Sequence, residues 1–201
     1  MIIELETPHG PARAHLQAAA DASLALVLGH GAGGGVQAPD LQAAARAAAR
    51  LGAGVALVEQ PYRVAGRRSQ PSATQLDAAW LAVIEQLRAG ALSGARLIAG
   101  GRSAGARVAC RTAAEAGALA LLCLAFPLHP PGRADDPAKS RLPELEAVTV
   151  PVLVIQGESD PFGMPPEGSR RKVVRIPGNH SLRNAEAVEA AVGGWLPQFI
   201  E

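Results

Sequence analysis

Six short runs of the chain are apolar along most or all of their length: residues 24–28, 55–58, 96–99, 118–125, 152–155 and 173–176. A strand that alternates polar and apolar residues can leave one face in water, but runs like these must be covered on both faces. Helical periodicity fills most of the gaps between them, over 40–51, 72–87, 104–116, 142–148 and 184–200. In the second of these, Leu76, Trp80, Val83, Ile84 and Leu87 recur at the spacing of one helix face. The last is disturbed near its end by Gly193, Gly194 and Pro197. Two-faced strands alternating with helices predict an α/β fold, a mostly parallel central sheet with helices on both faces and right-handed crossovers. Residues 2–5 and 13–16 are expected to add an antiparallel edge. Open sheets of this kind bind ligands beyond the carboxyl ends of their strands, so the chemistry is expected just after each run.

The bulk properties narrow the function. The 201 residues suit a single domain spanning 1–201. Basic and acidic residues nearly balance, 19 against 18, for a net charge of +1. No global field favours nucleic acid or an anionic membrane, and an aromatic content of 3% offers few bases a stacking surface. The apolar stretch 116–126 is too short to span a bilayer. The start, Met1-Ile2-Ile3-Glu4, lacks the basic and apolar parts of a secretory signal. Cys110 and Cys123 lie in apolar surroundings without metal-ligand spacing, which suits two free thiols and a cytoplasmic location. No metal, no organic cofactor, no nucleic acid and no membrane are expected.

After the run 96–99 comes Gly101-Arg102-Ser103-Ala104-Gly105, a G-x-S-x-G between a strand and a helix. In that setting the serine sits on a sharp corner with its hydroxyl exposed, and the glycines avoid clashes with neighbouring backbone. The helix start favours developing negative charge. After the run 24–28 comes Gly29-His30-Gly31-Ala32-Gly33-Gly34-Gly35. Such a loop supplies one amide of an oxyanion hole, and the residue after the nucleophile supplies the other. Ala32 is the expected first donor, with Gly33 next, and Ala104 the second; Gly31 and Gly33 let substrate approach the backbone. A phosphate-binding loop is the rival reading. It is disfavoured because Val58-Glu59-Gln60-Pro61 breaks the acidic signal expected after the next strand.

Asp160 follows the run 152–155 and His180 follows 173–176. Serine, aspartate and histidine thus fall in order after three strands. This is the order of a triad in which Ser103 attacks, His180 takes its proton and Asp160 orients the imidazole. Glu158 is a rival acid, and Ser181 is a candidate cap for the last helix. Phe126-Pro127-Leu128-His129-Pro130-Pro131 places His129 near the site rim, as a substrate contact or a loop histidine fixed by prolines. Arg63, Arg67 and Arg68 cluster after the run 55–58. Arg63 or Arg102 could pair with a substrate carboxylate, the alternative being a solvated face. Between Phe126 and Val152 there is room for a loop and one short helix only, so no lid domain is expected.

Taken together, His30-Gly31-Ala32-Gly33-Gly34, Gly100-Gly101-Arg102-Ser103-Ala104-Gly105-Ala106-Arg107, Phe126-Pro127-Leu128-His129-Pro130-Pro131 and Gly178-Asn179-His180-Ser181 resemble the small lidless α/β-hydrolases of the testis-expressed-protein-30 type. That group is related to a subunit of the non-specific-lethal acetyltransferase complex. More distantly the chain resembles the dienelactone hydrolases, whose nucleophile is a cysteine where this sequence has Ser103. The resemblance implies the α/β-hydrolase fold and a hydrolase site at Ser103, Asp160 and His180. The expected function is a serine hydrolase acting on small acyl esters through an acyl-enzyme. A non-catalytic interaction module and an acyltransferase using the same residues are the alternatives.

Overall fold

The computed structural model describes residues 1–17 and 22–200. In chain order the strands are β1 (Ile2–Leu5), β2 (Ala12–Gln17), β3 (Leu24–Gly29), β4 (Gly54–Glu59), β5 (Arg96–Arg102), β6 (Ala120–Leu124), β7 (Val152–Gly157) and β8 (Arg171–Ile176). They form one sheet in the order β1-β2-β4-β3-β5-β6-β7-β8. β1 pairs antiparallel with β2, and β2 antiparallel with β4. The pairs from β4 through β8 are parallel. The helices are α1 (Pro39–Arg50), α2 (Pro61–Val64), α3 (Ala73–Ala89), α4 (Ala104–Thr112), α5 (Leu142–Glu146) and α6 (Ala185–Trp195).

The two-faced strands divide their side chains between two cores. Ala25, Val27, Ala56, Val58, Leu121, Cys123 and Val154 meet α3 and α4 through Trp80, Val83, Ile84, Val108 and Ala109. Leu24, Leu26, Leu28, Val55, Leu57, Leu122, Leu124 and Ile155 meet the other layer, α1 and α6. Ala43, Ala44, Ala45, Ala47 and Ala48 make up most of the buried face of α1, beside Asp40 and Leu41. Glu189 of α6 clips α1 through Arg46 at 2.8 Å and Arg50 at 2.6 Å. The edge strands carry charge outward, Glu4 on β1 and Arg171, Lys172 and Arg175 on β8, which discourages pairing with another chain.

The chain runs from β3 to β4 on one side, then crosses back to β5 on the other. That reversal opens a crevice beyond the carboxyl ends of β3 and β5. The segment between β6 and β7 holds only a short 3-10 turn, Pro137–Lys139, and α5, so no lid domain is inserted there.

The short helix α2 has no counterpart in the sequence pattern, and the largest differences of boundary are in β5, α4 and the last helix. β5 continues past residue 99 through Gly100, Gly101 and Arg102, because glycines can pair between β3 and β6 where side chains have no room. α4 stops at Thr112 rather than 116; Gly117, at φ +63, closes the turn, with the Ala118 N–H bonded to the Ala113 carbonyl at 3.0 Å. The last helix ends at Trp195 and becomes a 3-10 turn over Leu196–Phe199, where Pro197 offers no N–H. Its cap is Asn184, whose side chain accepts from the Ala187 N–H at 3.1 Å, and not Ser181.

At Gly100 an added Cβ would run into the Leu122 carbonyl oxygen of β6 and meet Leu28 Cδ2 at 3.0 Å. Gly100→Ala is therefore expected to destabilise the fold by about 3 kcal/mol, as overpacking against fixed backbone does. A urea midpoint equal to wild type at unchanged slope would contradict so close an approach.

Candidate active site

The site begins at the corner between β5 and α4. A Cβ on Gly101 would lie 2.6 Å from the Gly29 carbonyl oxygen, and one on Gly105 would collide with the same oxygen. Only glycines let β3, β5 and α4 meet this closely. The turn forces Ser103 to φ 53, ψ −109, a conformation that costs a non-glycine residue about 1–3 kcal/mol. It is held there by its own N–H bonded to the Leu124 carbonyl at 2.9 Å and by its carbonyl accepting from the Arg107 N–H at 3.2 Å. The hydroxyl then stands at the start of α4.

His180 Nε2 lies 2.9 Å from Ser103 Oγ, and its Nδ1 lies 2.9 Å from Asp160 Oδ2. A carboxylate can only accept, so Nδ1 carries the proton and Nε2 presents its lone pair to the serine hydroxyl. The Asp160 side chain is fully buried. It accepts twice more, from Gln156 Nε2 at 2.9 Å onto Oδ2 and from the Phe162 N–H at 2.8 Å onto Oδ1. Phe162 also stacks on the His180 ring, with centroids 4.1 Å apart. Glu158, the rival acid, is exposed.

The loop after β3 lies against the nucleophile: a Cβ on Gly31 would be 3.5 Å from Ser103 Cβ and 2.8 Å from Arg102 Nη1. Gly33 is exposed, with open space where a Cβ would sit. Ala32 turns its carbonyl to the Tyr62 hydroxyl at 3.0 Å. Ala104 is the first residue of α4, so its N–H lies in the first turn, where helices leave their amides without an intrahelical partner. His30 is buried beneath this loop. Its Nε2 accepts from the Gln60 N–H at 3.1 Å, which leaves Nδ1–H to donate to the Gly31 carbonyl at 2.8 Å. Burial lowers its pKa, and the positive charge of Arg63 adds to that.

The remaining candidates have these places. Arg102 does not offer a free guanidinium to substrate; Nε donates to Asp40 at 2.9 Å and Nη2 to the His180 carbonyl at 2.9 Å. His129 sits against the loop of the acid, with Nδ1 2.9 Å from the Pro130 carbonyl and Nε2 where a Cβ on Gly163 would fall. Arg63 is half-buried and has no ion-pair partner among the described residues. Gln156, Asp40, Tyr62 and Phe162 were not singled out by sequence. The one available signal was Gln156, a polar residue directly after an apolar strand run. No group of three or more His, Cys, Asp or Glu among the described residues is placed to hold a metal. No helix among them is long and apolar enough to cross a membrane.

The alpha/beta hydrolase domain family matches residues 22–187. The chain belongs to the α/β-hydrolase family. Comparison with curated protein sequences finds no match. Among solved structures, this α/β-hydrolase is similar to a lidless α/β serine hydrolase from Xanthomonas campestris, with a TM-score of 0.78 and 22% identity over 100% of this chain and 94% of that one. An esterase from Pyrococcus furiosus gives 0.79 at 14% identity, covering 100% and 93%. A dienelactone hydrolase from Anabaena variabilis gives 0.76 at 16%, covering 100% and 98%. At such identities the likeness is one of fold.

His30 makes the stability of this α/β-hydrolase sensitive to acid. Its ring is buried neutral, while the unfolded chain takes up a proton near the ordinary value of 6.5. As pH falls below 6.5 the unfolded state binds more protons than the folded one, and stability drops until the lowered folded pKa is passed. His30→Gln is expected to remove this part of the pH dependence. Parallel stability curves for wild type and variant between about pH 7 and pH 5 would refute it.

Proposed function

We propose that this α/β-hydrolase is a serine hydrolase acting on small acyl esters. The observation that carries the reading is the unbroken relay from Ser103 Oγ through His180 to the buried Asp160, each link 2.9 Å, built on a serine at positive φ. Ser103 Oγ attacks the ester carbonyl as His180 Nε2 accepts its proton. The amides of Ala32 and Ala104 take the oxyanion. His180 returns the proton to the leaving alcohol as the C–O bond breaks, leaving an acyl-serine. A water then attacks, giving its proton to His180, and the acid leaves as Ser103 recovers its hydrogen. Asp160 keeps the imidazole in the right tautomer and faces the positive charge it gains. No step needs a metal or an organic cofactor.

The open sheet end supports short or protruding acyl groups rather than long buried chains. Arg63, near the loop after β3 and without an ion-pair partner among the described residues, is the group we assign to a carboxylate on the substrate. Gly31 and Gly33 keep the loop backbone within reach of that substrate, and His129 lies at the edge. The free thiols of Cys110 and Cys123 fit a reducing, cytoplasmic setting.

Intact mass after treatment with a fluorophosphonate probe tests the central claim. One adduct on wild type, absent from Ser103→Ala, is expected, together with a loss of about 10³-fold in kcat/KM on short esters for His180→Ala. A folded wild type that takes no adduct would sink the hydrolase reading in favour of an interaction module. Arg63→Gln is expected to weaken carboxylated esters about tenfold while sparing neutral ones.

A further inference from the structure

The residue between the last sheet glycine and the nucleophile is Arg102, and nothing in the geometry of the turn requires a cation there. Its planar group nevertheless touches three separate parts of the chain. Nε donates to Asp40 Oδ2 on α1 at 2.9 Å, and Nη2 donates to the backbone carbonyl of His180 at 2.9 Å. Nη1 lies against the loop after β3, where a Cβ on Gly31 would approach within 2.8 Å. The Asp40 side chain is fully buried, and its Oδ1 accepts from the Leu41 N–H at 2.9 Å. A carboxylate in that position is costly unless paired, so Asp40 and Arg102 hold each other in one geometry.

The loop carrying His180 needs such a hold. It belongs to no strand or helix. Gly178 at φ +123 and Leu182 at φ 41 bound it. Its start is tied to the acid loop, where the Gly178 carbonyl accepts from the Ser159 N–H and Oγ at 3.0 Å each, but within the loop the ties are short-range, such as the Ser181 N–H to Asn179 Oδ1 at 3.0 Å. Asp160 and the stacked Phe162 hold the ring of His180, but its distance to Ser103 still changes if its backbone drifts. The bond from Arg102 fixes that backbone directly to the residue preceding the nucleophile.

We infer that Arg102 and Asp40 are positioning residues: a buried cation–carboxylate strut that locks the backbone of His180 at its reacting distance from Ser103. This rests on the reading of Ser103 and His180 as the reacting pair. It assigns Arg102 to the histidine rather than to substrate, since the guanidinium donates to protein acceptors on both sides.

The test uses the intact protein with Arg102→Gln, Arg102→Lys, Asp40→Asn and the double variant Arg102→Gln/Asp40→Asn. Three readouts are compared: kcat and KM on a short ester, the rate of fluorophosphonate adduct formation, and the low-field proton signal of His180 Nδ1–H. Arg102→Gln is expected to lower kcat and the adduct rate together by about 10- to 100-fold, the scale of an ångström-sized misplacement, with KM within about twofold. The Nδ1–H signal should broaden or vanish. Lysine reaches only one of the two acceptors and restores part of the loss. The double variant should lose no more than Arg102→Gln alone, because both changes remove one strut. Unchanged kcat and signal in a folded Arg102→Gln overturn the strut; so does a raised KM at constant kcat, which marks a substrate contact. A wild type that takes no adduct overturns the hydrolase reading, while the proton signal still decides the strut. Should Arg102→Gln fail to fold, Arg102→Lys and Asp40→Asn carry the same readouts.

Discussion

The site depends on a close approach of backbone to backbone. Gly101 and Gly105 bring the end of β5 and the first turn of α4 against the Gly29 carbonyl at the end of β3, with no room for a methyl group on either. The site is built outward from that crossing. The chain must leave β5 through a residue at positive φ, and Ser103 takes that place. Its hydroxyl is thereby lifted out of the sheet. The loop after β3 is drawn alongside it, and the start of α4 faces the same point. The large apolar area buried in two cores is what holds this corner against its own strain.

Around the corner the polar groups are paired into chains. Gln156 Nε2 reaches Asp160, the Phe126 carbonyl at 3.1 Å and the Gly163 carbonyl at 2.9 Å, so one amide sets the depth of the acid loop. His30 joins the loop after β3 to the end of β4 through the Gln60 N–H. Tyr62 pins the Ala32 carbonyl from the far side. In a low-dielectric interior each such bond is worth more than in water, and each missing partner costs more. The loops at the sheet end are fixed by these side chains rather than by regular structure.

The strands could be read from sequence because burial on both faces leaves a continuous apolar run, a pattern that few other structures need. The meeting of Ser103, Asp160 and His180 in space could be anticipated because strand ends converge on one edge of the sheet and these residues follow three of its strands. The strut could not. Asp40 and Arg102 lie 62 residues apart, and each has an ordinary local explanation: an acidic residue in a helix's first turn, a polar residue in a turn. The length of β5 was also hidden. Glycines normally end a strand in a sequence reading, whereas here they continue it, because the neighbouring strands leave space for nothing larger. The helix cap moved from Ser181 to Asn184 for a similar reason: Leu182, fully buried at φ 41, takes the chain through another tight turn first.

In the proposed reaction, the uncovered sheet end sets the fate of the acyl-enzyme. With only a 3-10 turn and α5 between β6 and β7, that segment supplies no lid domain over an acyl group attached to Ser103. Enzymes that pass acyl groups to chosen acceptors must either hold the acceptor in place or keep solvent away during that interval. This architecture inserts no separate domain between the proposed intermediate and solvent. Water therefore competes on concentration against any other acceptor. Selectivity in the proposed hydrolysis then rests mainly with the first attack on the ester.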